Sequence, residues 1–158
     1  KLSNLKSMKY SFLFIITMLT KSIGYSQELS NPKSLFDPIP YGFSHVITTL
    51  LDGKLIFVAG QGGEEDINGT LSPDFRKQAR QSLRNIEMAL EAHGLAMKTV
   101  VKVTTLVVDH DASKLAILIE EFKKMWPDNK FPVNTLIPVP RLALENMLIE
   151  IDAIAVSK

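Results

Sequence analysis

The stretch Phe131–Val156, FPVNTLIPVPRLALENMLIEIDAIAV, constrains the fold more than any other part of the chain. It holds two β-type runs, Asn134–Val139 and Met147–Val156. Alternate side chains of a strand face opposite ways. Leu148, Glu150 and Asp152 therefore share one face, and Ile149, Ile151 and Ala153 the other. Carboxylates inside so apolar a run need an explanation, because an ionised carboxylate is rarely buried without a partner. Either that face meets water at a sheet edge, or Glu150 lines a polar pocket between strands.

Upstream, Phe43–Leu51 and Leu55–Gln61 are β-rich runs flanking Asp52-Gly53-Lys54. Asp-Gly between two such runs predicts a hairpin, because both residues accept positive φ. Gly60-Gln61-Gly62-Gly63 leaves that strand without the Lys-Ser/Thr of a phosphate loop or the spacing of a dinucleotide loop, so nucleotide binding is unsupported. Gly62 and Gly63 serve a turn or a backbone lying close to a pocket. A helix follows, with Ser72 as N-cap, Pro73 at its first position and Asp74 at the positive end of the dipole. Phe75, Ala79, Leu83, Ile86 and Leu90 form its apolar stripe, and Gly94 ends it. Arg76, Arg80 and Arg84 repeat beside that stripe as a solvated face. Thr99–Asp109 is nearly all β-branched and reads as a central strand. Asp111 caps a second helix, in which Met125 and Trp126 belong to the core, and Pro127 stops it. The order is β-β-α-β-α-β-β, an α+β chain with two helices on one face of a mixed sheet. Nothing in the chain covers the other face, so self-association is expected.

The N-terminus has a different character. Lys1, Lys6 and Lys9 precede an apolar core, Tyr10–Leu19, and Gly24-Tyr25-Ser26 supplies small residues at a cleavage-type exit. This is the order of a secretory signal peptide over residues 1–26, with Met8 as a second candidate start. The apolar run is shorter than the about 20 residues a membrane span needs. Export to the periplasm or the medium is expected, with no membrane association after cleavage. Residues 27–40, with Pro32, Pro38 and Pro40, read as an extended lead-in, and residues 41–158 as the folded domain. The chain has 18 basic and 17 acidic residues. Removing Lys1, Lys6, Lys9 and Lys21 leaves 14 basic against 17 acidic, a net charge of −3. Such a chain has little attraction for nucleic acid. Cysteine is absent, which excludes disulfides and thiolate chemistry. His45, His93 and His110 show no metal-ligand spacing, so no metal site is expected.

Several separate motifs carry a resemblance. They are Gln78-Ala79-Arg80-Gln81-Ser82-Leu83-Arg84-Asn85-Ile86, Val101-Lys102-Val103-Thr104-Thr105, Phe131-Pro132 and Ile149-Glu150-Ile151-Asp152-Ala153-Ile154-Ala155. From Tyr41 to Val156 the chain resembles the Rid family, the reactive-intermediate deaminases also called YjgF-like proteins. The resemblance implies a chorismate-mutase-like fold and a homotrimer with ligand clefts between subunits, which would cover the open sheet face. Active members hydrolyse imines and enamines to 2-keto acids and ammonia without a cofactor. In them an arginine two residues after the Phe-Pro proline clasps the substrate carboxylate, and a glutamate on the last strand handles the attacking water.

Glu150 occupies that glutamate's position and is the expected catalytic residue. Phe43, Ala59, Gly60, Asn134 and Thr135 fall at the cleft positions. Three of them depart from the deaminases. Asn134 replaces the arginine, Phe43 a tyrosine, and Ala59 a serine. Arg141 cannot stand in, because aligning it there displaces Phe131-Pro132 and leaves too few residues before Glu150. An asparagine makes no guanidinium fork. Loss of one charge-assisted anchor costs on the order of 1.5–3 kcal/mol. The expected function is that of a Rid protein with weakened deaminase activity on small carboxylates. The alternatives are a non-catalytic trimeric protein that binds a small ligand and, against the acidic balance and the export signal, an RNA-cleaving protein.

Overall fold

A computed structural model of the protein describes residues 27–49 and 53–157. Residues 1–26, and with them the signal-peptide reading, lie outside the described residues, as does Asp52 of the expected turn.

Eight elements follow in order: β1 (Glu28–Ser30), β2 (Val46–Thr48), β3 (Leu55–Gln61), α1 (Phe75–Glu91), β4 (Val100–Val108), α2 (Ala112–Met125), β5 (Val133–Val139) and β6 (Ile149–Val156). The main sheet runs β3-β6-β4-β5. β6 is antiparallel to both neighbours, while β4 and β5 are parallel and joined through α2. The sheet is mixed, as expected. Pro138 is tolerated because β5 is an edge of it.

The alternation expected for the last strand is present. Ile149, Ile151 and Ala153 are buried with Val103 and Val107 of β4 under Ala79, Leu83 and Ile86 of α1 and Phe122 of α2. Glu150 and Asp152 lie on the opposite face, only partly buried. Phe131 is a fully buried plug of the same core, and Trp126 donates its indole N–H to the Met97 carbonyl at 3.3 Å. Met125 and Trp126 are thus core residues.

Three expectations need correction. The hairpin between the runs 43–51 and 55–61 does not form: β2 pairs antiparallel with β1, Glu28 opposite Thr48, and β3 pairs with β6. Ser44 bridges instead to Val133 at the far edge, its N–H donating to the Pro132 carbonyl at 3.2 Å. Strand pairing follows burial against neighbours more than a local turn signal, and here the aromatic groups of Phe43 and His45 pack on Phe36, away from β3. The lead-in is therefore not simply extended, since it contributes β1 and a single 3-10 turn, Ile39–Tyr41. The N-cap of α1 is Asp74, whose carboxylate accepts from the Lys77 N–H at 2.8 Å. Ser72 caps one step earlier, accepting from the Asp74 N–H at 3.2 Å. The carboxylate fills the cap role and complements the helix dipole as well. Asp111 caps α2 in the same way, accepting from the Lys114 N–H at 2.8 Å.

The arginines beside the α1 stripe are not a free solvated face. Arg76 and Arg80 reach across to α2, where Glu121, 3% exposed, receives Arg76 Nη1 at 3.0 Å, Arg80 Nε at 3.0 Å and Lys124 Nζ at 2.8 Å. Burial pushes the Glu121 carboxyl up, but hydrogen bonds from Arg80, Lys124 and Arg76 outweigh it and hold the group down at about 2. Arg84 pairs with Glu87 along its own helix.

Candidate functional site

Glu150 is set in place from both ends. On the strand beside it, β3 carries a bulge between Val58 and Gln61, opposite the Ile151–Ala153 part of β6 that follows Glu150. Bulges re-aim side chains next to functional sites. The bulge contains Ala59 and Gly60, and the Glu150 side chain lies directly over Gly60. A Cβ on Gly60 would stand 2.6 Å from Glu150 Cδ and 2.8 Å from its Cγ. The missing Cβ of glycine leaves the room in which the Glu150 carboxylate lies.

The polar residues of α1 fix both flanks. Gln78 is fully buried: its amide donates to the Ser72 and Asn146 carbonyls at 2.7 and 2.8 Å, and its oxygen accepts from the Leu148 N–H at 2.8 Å. Ser82 donates to the Gln61 carbonyl at 2.6 Å. Asn85 donates to the carbonyls of Gly62 at 3.1 Å and Glu64 at 3.0 Å. Gly63 packs against the helix so closely that a Cβ would lie 2.5 Å from Gln78 Cα. Gln78, Ser82 and Asn85 recur at i, i+4 and i+7, one stripe of the helix. They are the positioning residues that motif matching quoted without a role. Their signal was three amide or hydroxyl side chains at helical spacing on a face that is otherwise apolar.

Around Glu150 the open sheet face is polar in its middle. Asp152 accepts from the Thr104 N–H at 3.1 Å, and Lys102 donates to the Thr104 hydroxyl at 2.8 Å. Thr135 pairs with Thr104 and shares that face. Beyond them the face turns apolar, with Phe57 70% exposed and Leu55 and Ile137 also exposed.

Asn134 and Phe43 lie on the other side. Asn134 pairs in register with Val103, whose side chain belongs to the helix-covered core, and its amide oxygen accepts from the buried Thr105 hydroxyl at 3.0 Å. With Phe36, Tyr41, Phe43, Leu115 and Leu136 it lines a cavity of about 420 Å³. The expected site residues therefore fall into two groups. Ala59, Gly60, Thr135 and Glu150 share the open face, and Phe43 and Asn134 share a pocket on the opposite face. Arg141 stands exposed two residues past the end of β5. Among the described residues, no three His, Cys, Asp or Glu side chains gather within reach of a common metal ion.

The family model described as Endoribonuclease L-PSP matches residues 38–157. The chain belongs to the Rid family. A RutC family protein of Haemophilus influenzae is 33% identical over 109 residues, which are 67% of this chain and 82% of that protein. The 2-iminobutanoate/2-iminopropanoate deaminase of Salmonella typhimurium is 32% identical over 108 residues, again 67% and 82% of the two chains. Among solved structures, the Rid protein YyfB of Yersinia pestis, of unknown function, superposes with a TM-score of 0.78 at 32% identity, over 83% of this chain and 98% of that one. The E. coli protein TdcF with bound serine superposes with a TM-score of 0.59 at 28% identity, over 70% and 85% of the two chains. In this Rid chain Glu150 lies in a built setting over Gly60, and Asn134 is the second residue after Pro132.

Proposed function

We propose that this Rid protein hydrolyses imines or enamines without a cofactor, in a cleft formed between protomers of a homotrimer, and that it acts poorly on amino-acid-derived carboxylates. The observation that carries this reading is the Glu150 side chain laid over Gly60 at the β3 bulge, on a sheet face that the described residues leave open. A carboxylate so placed can take a proton from water as the oxygen attacks the imine carbon and the imine nitrogen becomes an amine. It passes that proton to the nitrogen, completing the carbinolamine, and then carries the remaining hydroxyl proton to the departing nitrogen as the C–N bond breaks, so that imine and water give a carbonyl compound and ammonia. The second group, Asn134 and Phe43, faces the other way and cannot meet Glu150 within one chain. Packing one protomer's pocket against its neighbour's open face would bring the two together, and would also cover Phe57 and Leu55. The relatives support the reaction class: one is named as an iminobutanoate/iminopropanoate deaminase.

The weak point of such an enzyme is the carboxylate anchor. Asn134 offers an amide and no charge, so ammonia release from 2-aminoacrylate-type imines should barely exceed the spontaneous rate in the natural protein. Asn134→Arg should raise it, and Glu150→Gln in that background should remove the gain, because an amide cannot take a proton from water. Strong natural activity that ignores Glu150→Gln would place the chemistry elsewhere. Phe43, Ala59 and Asn134 also favour a second reading, a trimeric binding protein for a small neutral ligand. Absence of hydrolysis in all three proteins, with a ligand co-purifying in the cleft, would select it.

Residues 1–26 are proposed as an export signal, which puts the mature chain, beginning near Gln27, in the periplasm or the medium. N-terminal sequencing that finds Lys9–Ser26 retained on cytoplasmic protein would refute this. Light scattering of the mature protein at micromolar concentration should give the mass of a trimer. A stable monomer would remove the shared cleft.

A further inference from the structure

The pocket around Asn134 has features that a carboxylate site lacks. Its walls are Phe36, Tyr41, Phe43, Leu115 and Leu136, and among the described residues no charged side chain lines it. Its volume, about 420 Å³, lies in the range of small-molecule sites. Asn134 is oriented, because the buried Thr105 hydroxyl holds its amide oxygen at 3.0 Å. The amide NH2 is then the group left to donate into the cavity. Phe36 comes from the lead-in, ahead of the residues that match the family model, which start at 38. It is fixed by edge-on contacts with Tyr41, Phe43 and His45, at ring separations of 5.8, 5.9 and 5.1 Å. His45 Nε2 also sits 2.9 Å from the Phe36 carbonyl oxygen. The pocket thus pairs an uncharged amide with an aromatic wall.

We propose that the pocket selects a planar, uncharged aromatic compound that presents a carbonyl or imine acceptor to the Asn134 amide, with its ring against Phe36 and Phe43. The inference deepens the reading above by naming its ligand class, and rests on it for where the ligand binds. An uncompensated carboxylate loses its hydration without gaining a counter-charge, whereas a primary amide of the same shape loses far less. Aromatic contact favours a ring over an aliphatic chain.

Benzamide, benzoate and cyclohexanecarboxamide form the probe set, titrated into the assembled protein with binding followed by ligand-detected NMR. Benzamide should bind at least about tenfold more tightly than benzoate and roughly threefold more tightly than cyclohexanecarboxamide. Asn134→Asp, which still accepts from Thr105 but has no donor, should weaken benzamide about tenfold. Phe36→Ala, a change at a half-exposed residue, should weaken it roughly threefold to tenfold. Asn134→Arg should reverse the order in favour of benzoate. Benzoate binding as well as benzamide, or benzamide binding unmoved by both Asn134→Asp and Phe36→Ala, overturns the proposal. Benzoate binding as well as benzamide alongside Glu150-dependent imine hydrolysis defeats the ligand class and leaves the hydrolase reading intact. A benzamide preference that Asn134→Asp abolishes, without hydrolysis of any imine, upholds the ligand class and removes the hydrolase.

Discussion

The Glu150 half and the Asn134 half of the site are built on different principles. The Glu150 half is held from beneath by buried hydrogen bonds from one helix: Gln78 grips the approach to β6 and Ser82 grips the exit of β3. The Asn134 half has one buried hydrogen bond, from Thr105, and otherwise consists of partly exposed rings leaning edge-on against each other. Buried polar networks tie geometry to folding stability, because an unpaired member costs its full desolvation. Exposed aromatic walls contribute little to stability and can be exchanged without unfolding the chain. A chain so divided can hold Glu150 in place while the wall of the Asn134 pocket changes.

The largest effect should come from breaking the helix–bulge contact. Gly63→Ala drives a Cβ into the backbone of α1 at Gln78, where nothing can rotate away. Gln78→Leu leaves the Leu148 N–H and the Ser72 and Asn146 carbonyls without that partner. Each change should cost on the order of 3 kcal/mol or more, read as a fall in the denaturant midpoint. An unchanged midpoint in Gln78→Leu would mean that the network does not carry the Glu150 half.

Acid should act through another face of α1. The Glu121 pKa lies below its unfolded value, so its contribution is fully present above about pH 4.5 and is lost as the pH falls towards about 2. That contribution is about 3 kcal/mol. Glu121→Gln should lower stability at pH 7 and flatten the acid limb of the stability profile over that window. A variant whose pH profile parallels the natural protein's would show that the Arg76, Arg80 and Lys124 contacts are not holding the carboxylate.

Much of this was legible because it is local. The α1 stripe, the central strand Val100–Val108 and the alternation that puts Glu150 opposite Ile149 and Ile151 all follow from periodicity within one segment. What escaped depends on pairing between segments. Asn134 and Glu150 sit on strands separated by β4, and only the registers Val103–Asn134 and Leu106–Glu150 show that they face opposite ways. A one-residue slip in either register would have put them together. The Asp52-Gly53 signal failed for a similar reason, since a turn can propose a partner but here β2 is held by β1 and the Ser44–Val133 bridge ties the preceding chain to the far edge. The N-cap shifted from Ser72 to Asp74 because both residues suit the role and their difference is small.

A smaller effect on stability, with a large one on chemistry, is expected at the bulge itself. Gly60→Ala meets only the Glu150 side chain, which can swing aside, so the cost in folding should stay near 1 kcal/mol. The carboxylate would leave its position, and any Glu150-dependent hydrolysis in the Asn134→Arg background should fall on the order of a hundredfold. Retained activity would show that the glycine is needed for packing and not for aiming the acid.

The smallest effect should fall on the aromatic half. Phe36 is 61% exposed and its three edge contacts are to rings that also lie near the surface. Phe36→Ala should therefore lower stability by less than about 1 kcal/mol, against the several expected for Gln78→Leu. Thermal or denaturant unfolding of the two variants side by side measures the contrast directly. A Phe36→Ala loss as large as that of Gln78→Leu would mean that the lead-in is part of the core. The pocket could then not vary independently of the fold, and the division between a fixed acid and an adjustable ligand wall would fail. A small loss accompanied by weaker benzamide binding would place Phe36 where its contacts put it, on the ligand and not on the fold.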